Sequence, residues 1–329
     1  VSERRSPVRK HFPKFLLVAG LAALAPLALA ACGGDDSSGS SSDGGGDLSG
    51  TIVVDGSSTV APLTSAAGEA FNAENAGVDI EVRTSGTGGG FEVFCKGETD
   101  ISDASRAIKD EEAAACKDGG VEYTEVRVAS DGITVVTGAD AEVGATCLTF
   151  DQLKKAWGPE SKAATWKDVD PSFGDVKLTL AGPGSQSGTY DFFNEEVLGK
   201  DAKDEVIEPR QDYAASEDDN VTVRTVEGAE GAMGYFGYSY FIENQDKLKA
   251  FELDAGKGCV APSEESITSG DYPLSRPLYI YVANSALERP EVKGFVRYYV
   301  QNAVTLAQDQ RFVPATQADL DAALAAVPE

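Results

Sequence analysis

The sequence predicts an α/β protein built as two lobes, and three observations carry that prediction. Apolar, β-rich runs alternate with helical runs over most of the chain, which argues for strands interleaved with helices. About 280 residues remain once an N-terminal leader and tether are set aside, which suits two lobes better than one core. Three short turns rich in Gly, Ser and Thr stand where a strand passes into a helix.

Residues 1–31 read as a targeting segment. Arg4, Arg5, Arg9, Lys10 and Lys14 make its basic start, and residues 15–30 form an apolar run too short and Ala-rich for a membrane span. Leu29-Ala30-Ala31-Cys32 ends the run and resembles a bacterial lipobox, in which Cys32 becomes the lipidated first residue of the mature protein. The expected location is therefore extracytoplasmic, with the lipid on Cys32 holding the protein to the cell membrane. Residues 33–47 have almost nothing apolar to bury and predict a tether. Fifteen such residues reach about 20–23 Å root-mean-square, enough for a globular domain to clear the bilayer surface.

The folded part opens with a strand at residues 51–54, a turn at Asp55-Gly56-Ser57-Ser58 and a helix at 59–72, with Pro62 in its first turn. A second strand is expected at 78–83. It ends in the loop Thr84-Ser85-Gly86-Thr87-Gly88-Gly89-Gly90, and a helix begins at 91–96. Residues 121–136 hold two β-rich runs joined at Ser130-Asp131-Gly132, a crossing between lobes. A helix at 148–157 and a strand at 176–180 lead to the loop Gly182-Pro183-Gly184-Ser185-Gln186-Ser187-Gly188, with a helix starting near Thr189. Gly231-Ala232-Met233-Gly234-Tyr235-Phe236 reads as a buried strand, with Tyr238, Tyr240 and Phe241 packed around it as core. A strand at 277–283 and a helix at 290–308 finish the fold.

Composition removes several functions. The chain as given carries a net charge of −26, and losing the leader's five Lys/Arg and one Glu takes it to −30. Such a surface repels nucleic acid and anionic headgroups, so neither is an expected partner. Four cysteines follow Cys32, namely Cys95, Cys116, Cys147 and Cys259. An even count in an exported chain favours disulfides, and three pairings are possible. Cys95 with Cys116 and Cys147 with Cys259 is the favoured set, the first closing a short local loop. No CxxC spacing occurs, and the one histidine, His11, lies in the leader, so no metal site is expected. Without histidine the mature chain lacks the usual general base, which excludes a Ser-His-Asp triad. No cofactor is indicated, and a monomer is expected.

Three turns share one chemistry: Gly56-Ser57-Ser58-Thr59, Ser85-Gly86-Thr87-Gly88-Gly89 and Ser185-Gln186-Ser187-Gly188-Thr189. Each precedes a predicted helix, where unpaired amides and the helix dipole favour an anion. Glycine permits close approach and the hydroxyls add donors. Each turn alone also reads as an ordinary helix cap. Three together suit a tetrahedral oxyanion, which needs donors from several elements, and none has the P-loop spacing of a nucleotide site. In Asp100-Ile101-Ser102-Asp103-Ala104-Ser105-Arg106, the arginine offers a charged fork to an oxyanion or a surface salt bridge to Asp103 or Asp110.

Asp55-Gly56-Ser57-Ser58-Thr59-Val60, Ser85-Gly86-Thr87-Gly88-Gly89-Gly90, residues 100–106 and Ser187-Gly188-Thr189-Tyr190-Asp191-Phe192-Phe193 occur in that order. Together they resemble the phosphate-binding proteins of the phosphate-specific ABC transporter. Gly231-Ala232-Met233-Gly234-Tyr235-Phe236-Gly237-Tyr238 and Tyr272-Pro273-Leu274-Ser275-Arg276-Pro277-Leu278 fit the same family, so the resemblance covers essentially the whole mature domain. It implies a type II periplasmic-binding fold: two α/β lobes, two crossings and a ligand cleft between. With a crossing at residues 130–132, lobe I is 48–131 plus 275–329 and lobe II is 132–274. The implied ligand is inorganic phosphate, and the implied partners are the membrane permease subunits of an ABC importer. By motif position Thr59 and the Val60 amide, Thr87, and Ser187, Gly188 and Thr189 bind it, with Ser58, Ser85 and Gly88 adjacent. Two positions depart from the best-known members: Pro183 stands where they carry arginine, and Ser105 where they carry the aspartate that accepts the phosphate proton. Arg106 then becomes the expected cation, and Asp131, or failing that Asp103, the expected acceptor. A receptor for sulfate or molybdate and a surface lipoprotein without ligand are the alternatives. A phosphatase is disfavoured, since Ser187 has no histidine to activate it.

Overall fold

Strands and helices alternate through the computed structural model, which describes residues 48–203 and 205–327. The leader, Cys32 and the tether at 33–47 lie outside the described residues. The first part runs β1 (Ser49–Gly56), α1 (Ala61–Glu74), β2 (Gly77–Arg83), α2 (Gly86–Phe94), β3 (Ile101–Ala104) and α3 (Asp110–Asp118). A 16-residue strand β4 (Tyr123–Gly138) follows. Next come β5 (Cys147–Thr149), α4 (Phe150–Trp157), α5 (Trp166–Val169), β6 (Thr179–Gly182) and α6 (Gly188–Phe193), which widens into a looser turn at Asn194–Leu198. Then follow β7 (Ala214–Ala215), α7 (Asp219–Glu227), β8 (Ala232–Gly237), α8 (Tyr238–Glu243), β9 (Leu248–Ala250), β10 (Glu252–Asp254) and α9 (Glu264–Ser269). The chain returns on β11 (Ser275–Ala283) and ends with α10 (Pro290–Asp309), β12 (Val313–Pro314) and α11 (Gln317–Ala326).

Local chemistry sets many of these boundaries. Pro62 and Pro290 sit in the first turns of α1 and α10, where a missing N–H costs nothing. Thr149, Thr165, Ser263 and Thr316 cap α4, α5, α9 and α11 by accepting from a first-turn amide, and the third helical residue reciprocates. Along α10, Val292, Phe295, Val296, Tyr299, Val300, Ala303, Leu306 and Ala307 are buried at helical spacing, so that one stripe faces the core. None of the described helices is long and apolar enough to cross a membrane.

The main sheet is ordered β2-β1-β3-β11-β4-β8-β6-β7, with β12 and β9 both added to β4, and β10 and β5 form a separate parallel pair. Pairing is parallel among β2, β1 and β3 and among β7, β6 and β8, and antiparallel where β11 and β8 flank β4. Two large cores share the main sheet, and a smaller cluster of Val136, Ala181, Val223, Val226, Ala232, Phe236 and Leu248 packs on its far part. Val126, Val128 and Ala129 of β4 join the first, with α1, α2, α10 and α11 packed over it. Ile133 and Val135 of the same strand join the second, with Trp157, Trp166, Phe193 and Tyr235. The return crossing passes from Leu274 in the second core to Leu278 in the first. This is the two-lobed periplasmic-binding architecture. β12 adds a third segment at the crossing: Val313 pairs with Ser130 and packs in the second core, while Ala315 packs in the first.

The structure moves several expected elements. β4 runs unbroken through Ser130-Asp131-Gly132, because β11 and β12 pair with it there. α2 begins inside the glycine run, at Gly86 rather than at residue 91. α10 is followed by β12 and α11, so it does not finish the fold. Cys95 is joined to Cys116 and Cys147 to Cys259 by disulfides.

Candidate functional site

Three turns are brought together where the two lobes face each other. In the first, Gly56 adopts φ 147°, and a Cβ there would lie 2.1 Å from the Asp103 carbonyl oxygen. Only glycine lets β1 and β3 close at this point. The Ser57 amide donates to that same carbonyl at 2.8 Å, and Ser57 Oγ accepts from the Thr59 amide at 3.2 Å. The Val60 amide donates to the Ser57 carbonyl at 3.2 Å and its side chain is fully buried, so it already has a partner inside the turn.

The second turn is drawn onto the first. A Cβ on Gly90 would lie 2.5 Å from the Gly56 Cα, so α2 seats its glycines directly against β1. The Ser85 amide donates to Asp55 Oδ1 at 2.9 Å. Thr87 Oγ1 accepts from the Ser105 amide at 3.2 Å and shares a hydrogen bond with Ser105 Oγ at 3.1 Å. The third turn comes from the other lobe. Ser187 Oγ accepts from the Thr189 amide at 3.2 Å, and a Cβ on Gly188 would sit 3.0 Å from Thr59 Oγ1.

A cavity of about 500 Å³ opens between these turns. Of the residues expected from sequence, Ser58, Thr59, Thr87, Gly88, Ser105, Arg106 and Gly188 line it. Val60, Ser85, Asp103, Asp131, Ser187 and Thr189 do not. Hollows of about 560 Å³ beside Lys154, Lys155 and Lys162, and of about 710 Å³ beside Lys117, Tyr123 and Asn284, are comparable in size. Neither of them gathers the glycine-rich turns, and size alone does not identify a site.

The cations differ from expectation. Both arms of the Arg106 guanidinium donate to Glu112 at 2.8 Å, a bidentate pair with α3 rather than with Asp103 or Asp110. Arg276, part of the motif at residues 272–278 but not among the expected phosphate ligands, also lines the cavity. Its Nη2 donates to Thr59 Oγ1 at 2.9 Å and to the Gly188 carbonyl at 3.3 Å. Nε and Nη2 both donate to Asp131 Oδ2, at 3.1 and 3.0 Å, and the guanidinium lies 4.0 Å from the Phe192 ring centroid. The available signal was Ser275-Arg276-Pro277 at the start of the returning strand, the only charge in that crossing.

Carboxylates also meet the cavity, through Asp191, Glu195 and Glu196. The Asp191 side chain is exposed to the cavity, and partial desolvation pushes its carboxyl up, against the pull of Arg276 and with a further push from Glu195. Partial desolvation likewise raises Glu196, with Glu195 adding to it and Arg276 opposing. Glu195 pairs with Lys200 at 3.2 Å. Asp131 is almost wholly buried behind Arg276. Asp103 lies in the first core, where its Oδ1 accepts from Thr64 Oγ1 at 2.9 Å and its Oδ2 has no partner. Burial lifts that carboxyl to about 8, partly opposed by the Thr64 bond and reinforced by Asp55.

Hydroxyl and amide donors, a fixed guanidinium and carboxylates with raised proton affinity can together hold a small oxyanion that carries a proton. Among the described residues, Cys147, Glu252 and Cys259 are close enough to suggest a metal, but the two sulfurs are joined in a disulfide.

A family model described as a PBP superfamily domain matches residues 41–303. The chain is 43% identical over 267 residues to the protein SphX of Synechococcus elongatus, covering 80% of this chain and 77% of that one. It is 40% identical over 304 residues to the phosphate-binding protein PstS of Staphylococcus haemolyticus, covering 91% of this chain and 92% of that one. The crystal structure of a possible phosphate binding protein from Planctomyces limnophilus superposes with a TM-score of 0.79 at 41% identity, covering 86% of this chain and 100% of that one.

Proposed function

We propose that this chain, which belongs to the PBP superfamily and within it to the family of the phosphate-binding protein PstS, captures inorganic phosphate between its lobes and delivers it to the membrane subunits of an ABC importer. It acts as a binding protein rather than an enzyme. The observation that carries this reading is the meeting of Thr59, Thr87, Gly188 and Arg276, from both lobes and a crossing strand, at one cavity. Lobe I is taken as residues 48–131 with 275–329, and lobe II as 132–274.

Ser58, Thr59, Thr87, Gly88, Ser105 and Gly188 are the proposed donors around the anion, with Ser187 and Thr189 shaping the turn that presents Gly188. Phosphate at neutral pH carries a proton and sulfate does not, so an acceptor in the site distinguishes them. We assign that role to Asp191, which lines the cavity, in preference to Asp131 and Asp103, which do not. Against sulfate, which brings no proton, the Asp191 carboxylate and the anion meet acceptor to acceptor, and that repulsion favours phosphate.

PstS-type binding proteins work outside the cytoplasm. For this chain Leu29-Ala30-Ala31-Cys32 supports anchoring by a lipid on Cys32, with residues 33–47 as the tether. The binding unit is proposed to be a monomer. Titration calorimetry with phosphate, sulfate and molybdate tests the reading. Saturable heat with phosphate, little changed by excess sulfate, is expected, and preference for either other ion would reassign the ligand.

A further inference from the structure

We propose that Arg276 is the tie through which anion capture closes the lobes, with Asp131 as its positioning residue; the identity of the anion rests on the phosphate reading above. β4 and β11 carry the main chain between the two cores, and Asp131 and Arg276 are direct partners in their register. From that place one guanidinium bonds Thr59 of lobe I and the Gly188 carbonyl of lobe II, and it stacks on Phe192 of α6. Rotating one lobe away about these strands would separate Thr59 from Gly188, and a single nitrogen could not keep both bonds. The bonding set of Arg276 therefore exists only with the lobes together.

Asp131 fixes how the fork is aimed. One carboxylate oxygen takes both Nε and Nη2, which leaves Nη1 with no hydrogen bond among the described residues on a side chain that lines the cavity. A desolvated guanidinium with a spare donor is strongly favourable toward an oxyanion. An anion that accepts from Arg276 while held by either turn adds a third bond to a contact that already spans both lobes. Arg106 differs: its fork is bonded to Glu112 of the same lobe, so its hydrogen bonds stay on one side of the cleft. The pattern also accounts for a cation on a crossing strand, where a lobe motion changes its surroundings on both sides at once.

The test compares R276K, D131N and R106Q in the full-length protein by calorimetry with phosphate and by small-angle scattering with and without it. R276K keeps a charge for Asp131 but lacks the fork, so affinity should fall by about tenfold or more. D131N should fall less, and R106Q by under about threefold. At saturating phosphate the wild type and R106Q should contract, and R276K should not. R276K binding within about threefold of wild type, or contracting fully once saturated, would overturn the proposal. If the wild type ignores phosphate, the ligand assignment fails by itself. The same variants measured with sulfate or molybdate then decide the tie by the same two outcomes.

Discussion

Replacing Asp103 with Asn should make folding stability less sensitive to rising pH. The carboxyl is fully buried, with Thr64 on one oxygen, no partner on the other and Asp55 nearby, and its pKa is lifted to about 8. In the unfolded chain the same group titrates near 4. The folded protein therefore keeps a proton that the unfolded chain has released, and the stabilisation is complete only below the unfolded value. It is lost as pH rises from about 4 through about 8 and changes little above that. At 1.36 kcal/mol per unit the full window amounts to on the order of 5 kcal/mol, and roughly 4 kcal/mol of it falls between pH 5 and 8. Asparagine keeps an acceptor for Thr64 and cannot ionise. Urea unfolding of both proteins at pH 5, 6.5 and 8 reads the effect as a difference, in which the other titrating groups cancel. The variant should gain on the wild type steadily across that series. A difference that stays constant from pH 5 to 8 would mean that Asp103 is ionised in the fold or is not dry, and the reasoning would fail.

Three further outcomes are expected. Cys32→Ala should release the protein from membranes and leave phosphate binding intact, which fractionation followed by calorimetry checks. Replacing Cys147 and Cys259 together by Ser should cost about 5 kcal/mol in urea unfolding, and replacing Cys95 and Cys116 about 3, because the bridges span 112 and 21 residues. Asp191→Asn should weaken phosphate and strengthen sulfate, since an amide can donate to an unprotonated oxyanion; competition calorimetry that leaves the ratio of affinities unchanged would remove Asp191 as the proton acceptor.

Much of the architecture was legible because local chemistry and tertiary structure agree in it. β1, α1 and the Gly-rich turns announce themselves by apolar runs, Pro62 and glycine, and both disulfides match the favoured pairing. The misreadings arise where distant partners decide. Ser130-Asp131-Gly132 looks like a break, yet β11 and β12 supply the hydrogen bonds that carry β4 through it. α2 starts early because Gly90 lets it press on Gly56, a contact across 34 residues of sequence. The helix α11, beyond the expected last helix, carries a local signal of its own, Thr316 with Asp319 three residues on. Arg106 and Arg276 are alike as letters, and only the fold reveals that Glu112 occupies the first while the second faces both lobes. Asp103 illustrates the same limit: alternation along a strand assigns one face to solvent, but β3 is covered on both faces.

The most direct measurement is a crystal structure determined with millimolar phosphate in the mother liquor. The anion should lie in the cleft between the turns that carry Thr59, Thr87 and Gly188, within hydrogen-bonding distance of Arg276. A cleft that stays without phosphate at saturating concentration, or an anion bound only elsewhere, such as beside Lys154 and Lys162, would contradict interlobe capture.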